Sequence, residues 1–279
     1  MSDYAYYNGV YTPYDSAVIP LSDRSIFFGD AVYDVMIGRN GKVYQLHEHL
    51  KRLRLNAERI SLNMCESDED IREIIDVLIA ESKHREFIIY VQLSGHSERR
   101  IHKNDTAKYN LLITLTSATH PWAPAVIQAI TLQDKRYDYC DVKTTNLLPA
   151  ILSLRESERC GADIAIFHRN RIITECSHAN IAILARGEII TPPLNSSILP
   201  GITRRNMISV CERIGISVCE RNITLDDLCS ADSVWVTSTT HFLRVCSHVD
   251  HMPIKKFKSD LTKEIFDLLY YDFLCNTTS

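Results

Sequence analysis

The stretch that decides the fold is Cys140-Asp-Val-Lys143-Thr-Thr-Asn146-Leu-Leu, followed later in the chain by Thr174-Glu175-Cys-Ser-His-Ala-Asn180. A helical pattern and a strand pattern over 163–168 lie between the two parts. This arrangement predicts Lys143 at a strand-to-helix junction and Glu175 at the end of a pair of strands. A lone lysine among polar residues is typical of a solvated surface, so the rest of the chain has to decide its function.

Four further motifs occur in order around this stretch. They are Arg24-x-x-x-Phe28-Gly29-Asp30-x-x-Tyr33-Asp34-Val35, His49-x-x-Arg52-Leu53, Leu199-Pro-Gly201-Ile202-Thr203-Arg204 and Val236-Thr-Ser238-Thr239-Thr240. Together, the six motifs resemble the fold-type IV pyridoxal phosphate (PLP) enzymes. That group includes branched-chain aminotransferases, D-amino-acid aminotransferases and aminodeoxychorismate lyases, and the resemblance runs from Asn8 to about residue 250.

The resemblance implies the chemistry of two residues. Lys143 would form a Schiff base with the PLP aldehyde and then move a proton between the substrate Cα and the cofactor. Glu175 would pair with the pyridine nitrogen and keep it protonated, so that the ring can accept electrons. Lys143 is therefore the predicted catalytic residue, and both residues are predicted to bind the cofactor.

The predicted phosphate site combines backbone N–H groups, hydroxyls and one cation. Gly201-Ile202-Thr203 precedes a predicted helix, whose free amides and dipole favour an anion. By resemblance, Ser238 and Thr239 add hydroxyl groups and Arg52 adds the cation. Leu199 resembles the apolar residue that packs on the face of the cofactor ring.

The loop Arg99-Arg100-Ile101-His102 indicates the substrate class. D-amino-acid aminotransferases carry an Arg-x-His pair here, which binds the substrate α-carboxylate from the partner subunit, and Arg100 with His102 resembles that pair. Because the loop has one extra residue by this comparison, Arg99 is the alternative to Arg100. A solvated basic loop is the other interpretation. Tyr33 resembles a residue that helps hold the carboxylate, and Val35 resembles a wall of the side-chain pocket.

Two segments depart from the pattern of the family. Cys176-Ser-His178-Ala179 replaces a run of small residues after Glu175, and His241-Phe-Leu-Arg244 replaces small and acidic residues. Both changes are expected near the cofactor, where they could alter substrate choice. We expect His178 and His241 to be hydrogen-bonded structural residues.

Composition and charge exclude several other functions. The formal net charge of −4 gives no electrostatic reason to expect nucleic acid or an anionic membrane as a partner. The nine cysteines are odd in number and include no C-x-x-C pair, which favours reduced thiols over disulfides or a zinc site. His47-Glu48-His49 lacks a third ligand, so no metal is predicted. With no leader or apolar run of about 18 residues, the chain is predicted to be cytoplasmic.

Helical and strand patterns interleave in both halves, which predicts an α+β fold. We expect a small N-terminal α/β domain at 1–117, a Pro-containing linker at 118–125 and a larger α+β PLP-binding domain at 126–279. The cofactor is expected between the domains. Among the elements, helices are predicted over 46–60, 68–82 and 146–160, and short strands over 6–10 and 18–19.

These observations predict PLP-dependent transamination of D-amino acids of the D-alanine and D-glutamate type. The acceptor would be a 2-oxo acid such as 2-oxoglutarate or pyruvate, and the family implies a homodimer. Three alternatives stay open: a branched-chain L-amino-acid aminotransferase, an aminodeoxychorismate lyase of the same fold, and a PLP-binding protein without turnover.

Overall fold

The structure is a computed structural model that describes residues 2–96, 99–103, 108–255 and 260–278. The chain forms two compact units. The first contains Met1–His120, Val142–Asn146 and Phe273–Ser279, and the second contains Pro121–Asp141 and Leu147–Asp272. Thus the segment that carries Lys143 groups with the N-terminal part of the chain, although its neighbours in sequence belong to the second unit.

The first unit is built on an antiparallel sheet of six described strands. The strands are β1 (Tyr4–Tyr7), β2 (Val10–Pro13), β3 (Ala31–Arg39), β4 (Lys42–Val43), β5 (Glu86–Gly95) and β6 (Tyr109–Ser117), in the order β2-β1-β6-β5-β3-β4. The longest pairings join β3 to β5 and β5 to β6. Of the candidate site residues of this unit, Tyr33 and Val35 belong to β3.

Helices of the first unit cover that sheet. They are α1 (Arg24–Phe28), α2 (Leu46–Arg59) and α3 (Asp68–Ser82). The helix α3 has the bounds predicted from the sequence, because Ser67 and Asp70 form a reciprocal capping box at its start. Its buried residues recur at helical spacing and pack in one core with those of α2 and the sheet. The helix α2 ends one residue before the predicted end at 60.

The predicted strand at 18–19 is wrong, because those residues are outside the strands of the structure. Asn8 and Gly9 both adopt positive φ, at 45° and 92°, and form a two-residue hairpin turn. Pairing therefore resumes at once with Tyr7 opposite Val10, and the return strand is β2.

The second unit contains a mixed sheet of nine described strands. They are β7 (Ala125–Gln133), β8 (Ile164–Arg169), β9 (Ile172–Cys176), β10 (Asn180–Ala185), β11 (Glu188–Thr191), β12 (Val218–Glu220), β13 (Ser233–Ser238), β14 (Phe242–Val249) and β15 (Met252–Pro253). The order is β12-β11-β10-β13-β14-β7-β8-β9, and β15 pairs with β14. The pairs β7–β8, β7–β14 and β11–β12 are parallel.

Four helices accompany this sheet in the described part of the chain. They are α4 (Leu148–Arg159), α5 (Ile202–Arg213), α6 (Leu225–Ser230) and α7 (Asp260–Thr277). The helix α4 begins two residues later than the predicted start at 146, with Pro149 in its first turn, a position at which proline needs no hydrogen-bond partner. Among the described residues, none of the helices is both long and apolar enough to span a bilayer.

The last residues of α7 return to the first unit. The Phe273 ring lies edge-on to the rings of Tyr44, at 5.5 Å, and His120, at 5.1 Å. Lys42 Nζ donates to Thr278 O at 2.7 Å. The first unit is therefore assembled from three separate parts of the chain.

Candidate active site

Lys143 is fixed by backbone hydrogen bonds to β3 in the first unit. Tyr33 N donates to Lys143 O at 2.9 Å, and Thr145 N donates to Ala31 O at 3.1 Å. Lys143 Nζ lies 4.4 Å from the centroid of the Tyr33 ring. The structure gives this amine no carboxylate partner among the described residues, which suits an amine that has to react as a nucleophile.

A glycine at the end of α1 anchors the other side of the Lys143 segment. Gly29 has φ of 59°, a value that L side chains rarely adopt. Its carbonyl accepts from Asn146 Nδ2 at 2.8 Å. A Cβ at Gly29 would lie 2.2 Å from Asn146 Oδ1, so the backbone angle favours glycine and a larger residue would also displace the Asn146 side chain. This contact is a further link between the two sequence motifs that contain Gly29 and Asn146.

Asp34 forms a buried network that the sequence did not predict. Arg52 donates to both carboxylate oxygens at 2.8 Å, and His49 Nδ1 lies 2.8 Å from Asp34 Oδ1. Burial opposes the charge on Asp34, but the nearby Arg52 and the hydrogen bonds outweigh it, so the pKa of Asp34 is well below its usual range. Burial lowers the pKa of His49 despite the Asp34 carboxylate. The predicted phosphate role of Arg52 stays a prediction.

Tyr33 and Val35 project from the same face of β3, because side chains alternate along a strand. The Tyr33 ring stacks on the Tyr90 ring with centroids 5.2 Å apart, and Tyr90 is directly opposite Val35 in β5. The Lys143 amine lies over Tyr33, so the structure places two predicted substrate-binding residues on the face that carries this amine.

Arg24 holds the backbone of the predicted substrate loop. Its Nη1 donates to Ile101 O at 2.6 Å and its Nη2 to His102 O at 3.1 Å, while Asp30 pairs with its Nε at 2.6 Å. This role was missed because no local spacing shows a contact with residues almost eighty positions away. Residues 97–98 and 104–107 of the same loop lie outside the described residues.

The side chains of Arg100 and His102 are exposed and lie on an aromatic residue of α1. The Arg100 guanidinium is 5.3 Å from the centre of the Phe28 ring, and the His102 ring is 5.4 Å from it. Exposed cationic and imidazole groups held on one aromatic surface remain available to bind a carboxylate. Arg99, the alternative to Arg100, is also exposed.

In the second unit, Glu175 is buried at the end of β9 and is held at both oxygens. Its Oε2 accepts from Asn180 Nδ2 at 3.0 Å and from Leu199 N at 3.1 Å. Its Oε1 accepts from Arg136 Nη1. These bonds favour the carboxylate form and fix its orientation. Asn180 and Leu199 belong to the predicted motifs, whereas Arg136 does not.

Arg136 is the residue of this cluster that sequence analysis missed. It donates from Nε to Asp134 Oδ1 at 3.0 Å and from Nη2 to Asp134 Oδ2 at 2.9 Å. Its guanidinium lies 4.7 Å from the centre of the Phe167 ring. Burial opposes ionisation of Asp134, but Arg136 overcomes it and lowers the pKa of that carboxyl. The only sequence signal was an arginine between two aspartates, which is common on protein surfaces.

The predicted phosphate residues occupy the start of α5 and the end of β13. Gly201 is the N-cap of α5, and the first-turn amides of Ile202 and Thr203 have no partner within the helix itself. A Cβ at Gly201 would lie 1.8 Å from Asn180 Oδ1, so this turn requires glycine. Ser238 Oγ is buried and has no hydrogen-bond partner among the described residues, and Thr239 follows in the next turn.

Both histidines in the departing segments form hydrogen bonds. His178 Nε2 lies 3.1 Å from Arg244 Nη2, and His241 Nδ1 lies 2.9 Å from Thr240 Oγ1. His47 and His49 pair with Asp68 and Asp34, and the structure shows no cluster of metal-ligating side chains within the described residues.

The residues of each unit fit a PLP cofactor. The first unit offers an amine that has no carboxylate partner within the described residues, and the second offers a fixed carboxylate for a pyridinium. In the described part of the chain the buried Ser238 hydroxyl has no partner, and this hydroxyl and the first-turn amides of α5, which have no partner within the helix, suit a phosphate.

Comparisons with known proteins agree with this fit. The family model described as amino-transferase class IV matches residues 31–249. A D-alanine aminotransferase of Listeria monocytogenes is 34% identical over 246 residues, which cover 86% of this chain and 85% of the relative.

Solved structures share the fold. A branched-chain amino acid aminotransferase from Escherichia coli superposes with a TM-score of 0.89 at 21% identity, covering 100% of this chain and 97% of the other. A candidate 4-amino-4-deoxychorismate lyase from Legionella pneumophila gives 0.85 at 24% identity, covering 92% and 96%. At such identities these two structures show the fold alone, which confirms the predicted α+β fold of type IV. The family match and the Listeria relative show more: the chain belongs to the class IV aminotransferases, which are PLP-dependent enzymes.

Proposed function

We propose that this chain transaminates D-amino acids of the D-alanine and D-glutamate type, with a 2-oxo acid such as 2-oxoglutarate or pyruvate as acceptor. The observation that carries the proposal is the loop with Arg100 and His102, whose backbone Arg24 holds in place. The name of the Listeria relative, D-alanine aminotransferase, supports the same substrate class.

Two residues would handle the reacting groups. PLP supplies a ring that accepts electrons and so makes the Cα–H of a bound amino acid acidic. The Lys143 amine would take the proton from the substrate Cα and then donate it to the cofactor. The Glu175 carboxylate accepts the N–H of the pyridinium, and Asn180, Leu199 and Arg136 keep that carboxylate ionised and oriented.

The remaining predicted residues would bind and orient the cofactor. The amides of Ile202 and Thr203 after Gly201, and the hydroxyls of Ser238 and Thr239, donate to the phosphate. Arg52 adds a positive charge while Asp34 fixes its guanidinium. Leu199 packs on the ring face.

The α-carboxylate of the substrate would bind to Arg100 and His102. A guanidinium suits this function because its planar fork donates two parallel hydrogen bonds to a carboxylate. Tyr33 supports the carboxylate, and Val35 forms a wall of the side-chain pocket. Both are on the face of β3 that carries the Lys143 amine.

We also propose that the enzyme is a cytoplasmic homodimer in which this loop serves the partner's site. An apolar surface on α4 supports association: Leu148 and Leu152, one helical turn apart, are 65% and 51% exposed, and contiguous exposed apolar side chains mark interaction surfaces. The domain boundaries at 1–117, 118–125 and 126–279 remain part of this proposal.

The test is the half-reaction of the purified, PLP-loaded enzyme. The absorbance band of the bound cofactor is followed after addition of D-alanine or, separately, L-leucine, and light scattering gives the oligomeric state. We expect D-alanine alone to bleach the band, and we expect the mass of a dimer.

Other outcomes would support the alternatives. Bleaching by L-leucine alone would indicate a branched-chain enzyme. If neither amino acid bleached the band but aminodeoxychorismate released pyruvate, the enzyme would be a lyase. If none of these reactions occurred, the chain would be a PLP-binding protein without turnover.

A further inference from the structure

Arg244, near the start of β14, is a buried cation whose charge is not balanced by a carboxylate in the described part of the chain. Only 7% of its surface is exposed. Its Nη2 binds His178, but its enclosed Nε has no hydrogen-bond partner among the described residues. In that part of the chain, no carboxylate forms an ion pair with it. Burial lowers the pKa of Arg244, and the nearest acidic groups only partly oppose the effect.

His178 cannot supply the missing negative charge. A guanidinium only donates, so His178 Nε2 must accept, and the imidazole proton is then on Nδ1, which lies 3.2 Å from Ser177 Oγ. The partner of Arg244 is therefore a neutral ring. A buried charge without a counter-charge is costly, which implies that something else offsets it.

A second buried arginine in the same unit shows the usual solution. Arg204 is 4% exposed, and its Nη2 donates to Glu220 at 2.6 Å and to Pro192 O at 2.8 Å. This unit thus pairs a buried guanidinium with a carboxylate where the purpose is structural. Arg244 has the same burial without that carboxylate, a difference that a ligand would explain.

Arg244 also lies among groups that can bind an anion. It is opposite Val236 in β13, and Ser238 is two residues further along that strand, so both side chains project from one face of the sheet. The Ser238 hydroxyl is likewise buried and unpartnered within the described residues. His178 is exposed beside Arg244, just after β9, the strand that ends with Glu175 and Cys176.

We propose that Arg244, whose guanidinium is held by His178, binds the side-chain carboxylate of a dicarboxylic amino acid or 2-oxo acid, as in D-glutamate and 2-oxoglutarate. This inference rests on the proposed function and adds the residue that selects its dicarboxylic substrates. A planar carboxylate matches the fork of a guanidinium. A phosphate shares the same anionic chemistry, but the start of α5 already offers amides for one.

The kinetic test compares Arg244→Gln with the wild type in the half-reaction with D-glutamate and with D-alanine. Loss of a charge-assisted contact is worth about 10- to 100-fold, so kcat/KM for D-glutamate should fall by that factor while the value for D-alanine changes less than about threefold. Arg244→Lys should recover part of the loss. Arg171→Gln, which removes an exposed arginine that pairs with Asp226, is the matched control and should change neither value.

A binding test does not depend on turnover. Glutarate, which has two carboxylates and no amino or oxo group, is titrated into the PLP-loaded enzyme by calorimetry, with butyrate as the monocarboxylate control. Glutarate should bind the wild type more tightly than butyrate does, and Arg244→Gln should abolish the difference. Inorganic phosphate is the third probe.

Several results would overturn the inference. An equal loss of activity with D-alanine and D-glutamate would show that Arg244 acts on the general structure of the site. Tighter binding of phosphate than of glutarate, with weaker binding of PLP in Arg244→Gln, would assign Arg244 to the cofactor phosphate.

A different result would separate this inference from the proposed function. If the wild type turned over neither D-amino acid but still bound glutarate more tightly than butyrate through Arg244, the proposed function would fail while the carboxylate site would stand.

Discussion

Replacement of Asp34 by asparagine should destabilise the first unit strongly. The Asp34 carboxylate is fully buried and accepts two hydrogen bonds from Arg52 and one from His49. The amide removes the negative charge that balances the largely buried Arg52 guanidinium. Breaking one partner of a buried ion pair costs about 3–5 kcal/mol, which corresponds to a fall in Tm of about 6–20 °C in a domain of this size.

The assay is thermal unfolding of the PLP-loaded enzyme, followed by circular dichroism at pH 7. Asp226→Asn is the matched control, because Asp226 and Arg171 form an exposed pair at 2.9 Å, and such pairs contribute at most about 1 kcal/mol. If Asp34→Asn lowered Tm no more than this control, the argument that the buried network stabilises the unit would be refuted.

The same variant has a defined dependence on pH. The folded-state pKa of Asp34 is below its unfolded value, which is about 3.9. Its contribution is therefore complete above the unfolded pKa and is lost as the pH falls through the folded pKa. The difference in Tm between wild type and variant should be full at pH 7 and smaller at about pH 3.5. A difference that stayed constant would show that Asp34 does not act through its charge.

Three further predictions concern the candidate site. Lys143→Ala should lose both the visible absorbance band of the bound cofactor and turnover, and retention of both would show that another amine binds PLP. Arg100→Ala should raise KM for D-alanine at least about tenfold, since a charge-assisted bond to the carboxylate is lost, whereas Arg99→Ala should not; the reverse pattern would move the carboxylate contact to Arg99. Gly29→Ala should destabilise the enzyme by about 2–4 kcal/mol, from positive φ plus a steric clash. Gly41 also has a positive φ, of 80°, but an added Cβ there would meet open space. Gly41→Ala should therefore lower Tm less than Gly29→Ala does, and equal losses would show that the clash with Asn146 does not contribute.

The motifs predicted the fold well because their residues determine both the backbone geometry of a turn and a contact with another motif. Gly29 is close in space to Asn146 within the first unit, and Gly201 is close to Asn180 within the second: each glycine leaves room for the asparagine side chain beside it. A resemblance in these motifs therefore already implies the contacts between them. The helix α3 was predicted for a simpler reason, since its cap and its apolar spacing are local.

What the sequence did not show depends on distant contacts or on weak patterns. Arg24, Asp34 and Arg136 act through partners that only the fold brings near, at separations of 77, 18 and 39 residues. The strand β14 was not predicted, because Phe-Leu-Arg-Val-Cys-Ser-His-Val is buried on both faces and lacks the alternation of a half-exposed strand.

The return of α7 to the first unit has a consequence for synthesis of the protein. The N-terminal unit leaves the ribosome first, but it needs the Lys143 segment and then Phe273, which packs against Tyr44 and His120 at the far end of the chain. Because domains usually fold as they emerge, the second unit is expected to reach its final packing earlier than the first. A chain terminated a few residues early would carry every motif of the candidate site and still leave its N-terminal unit incomplete.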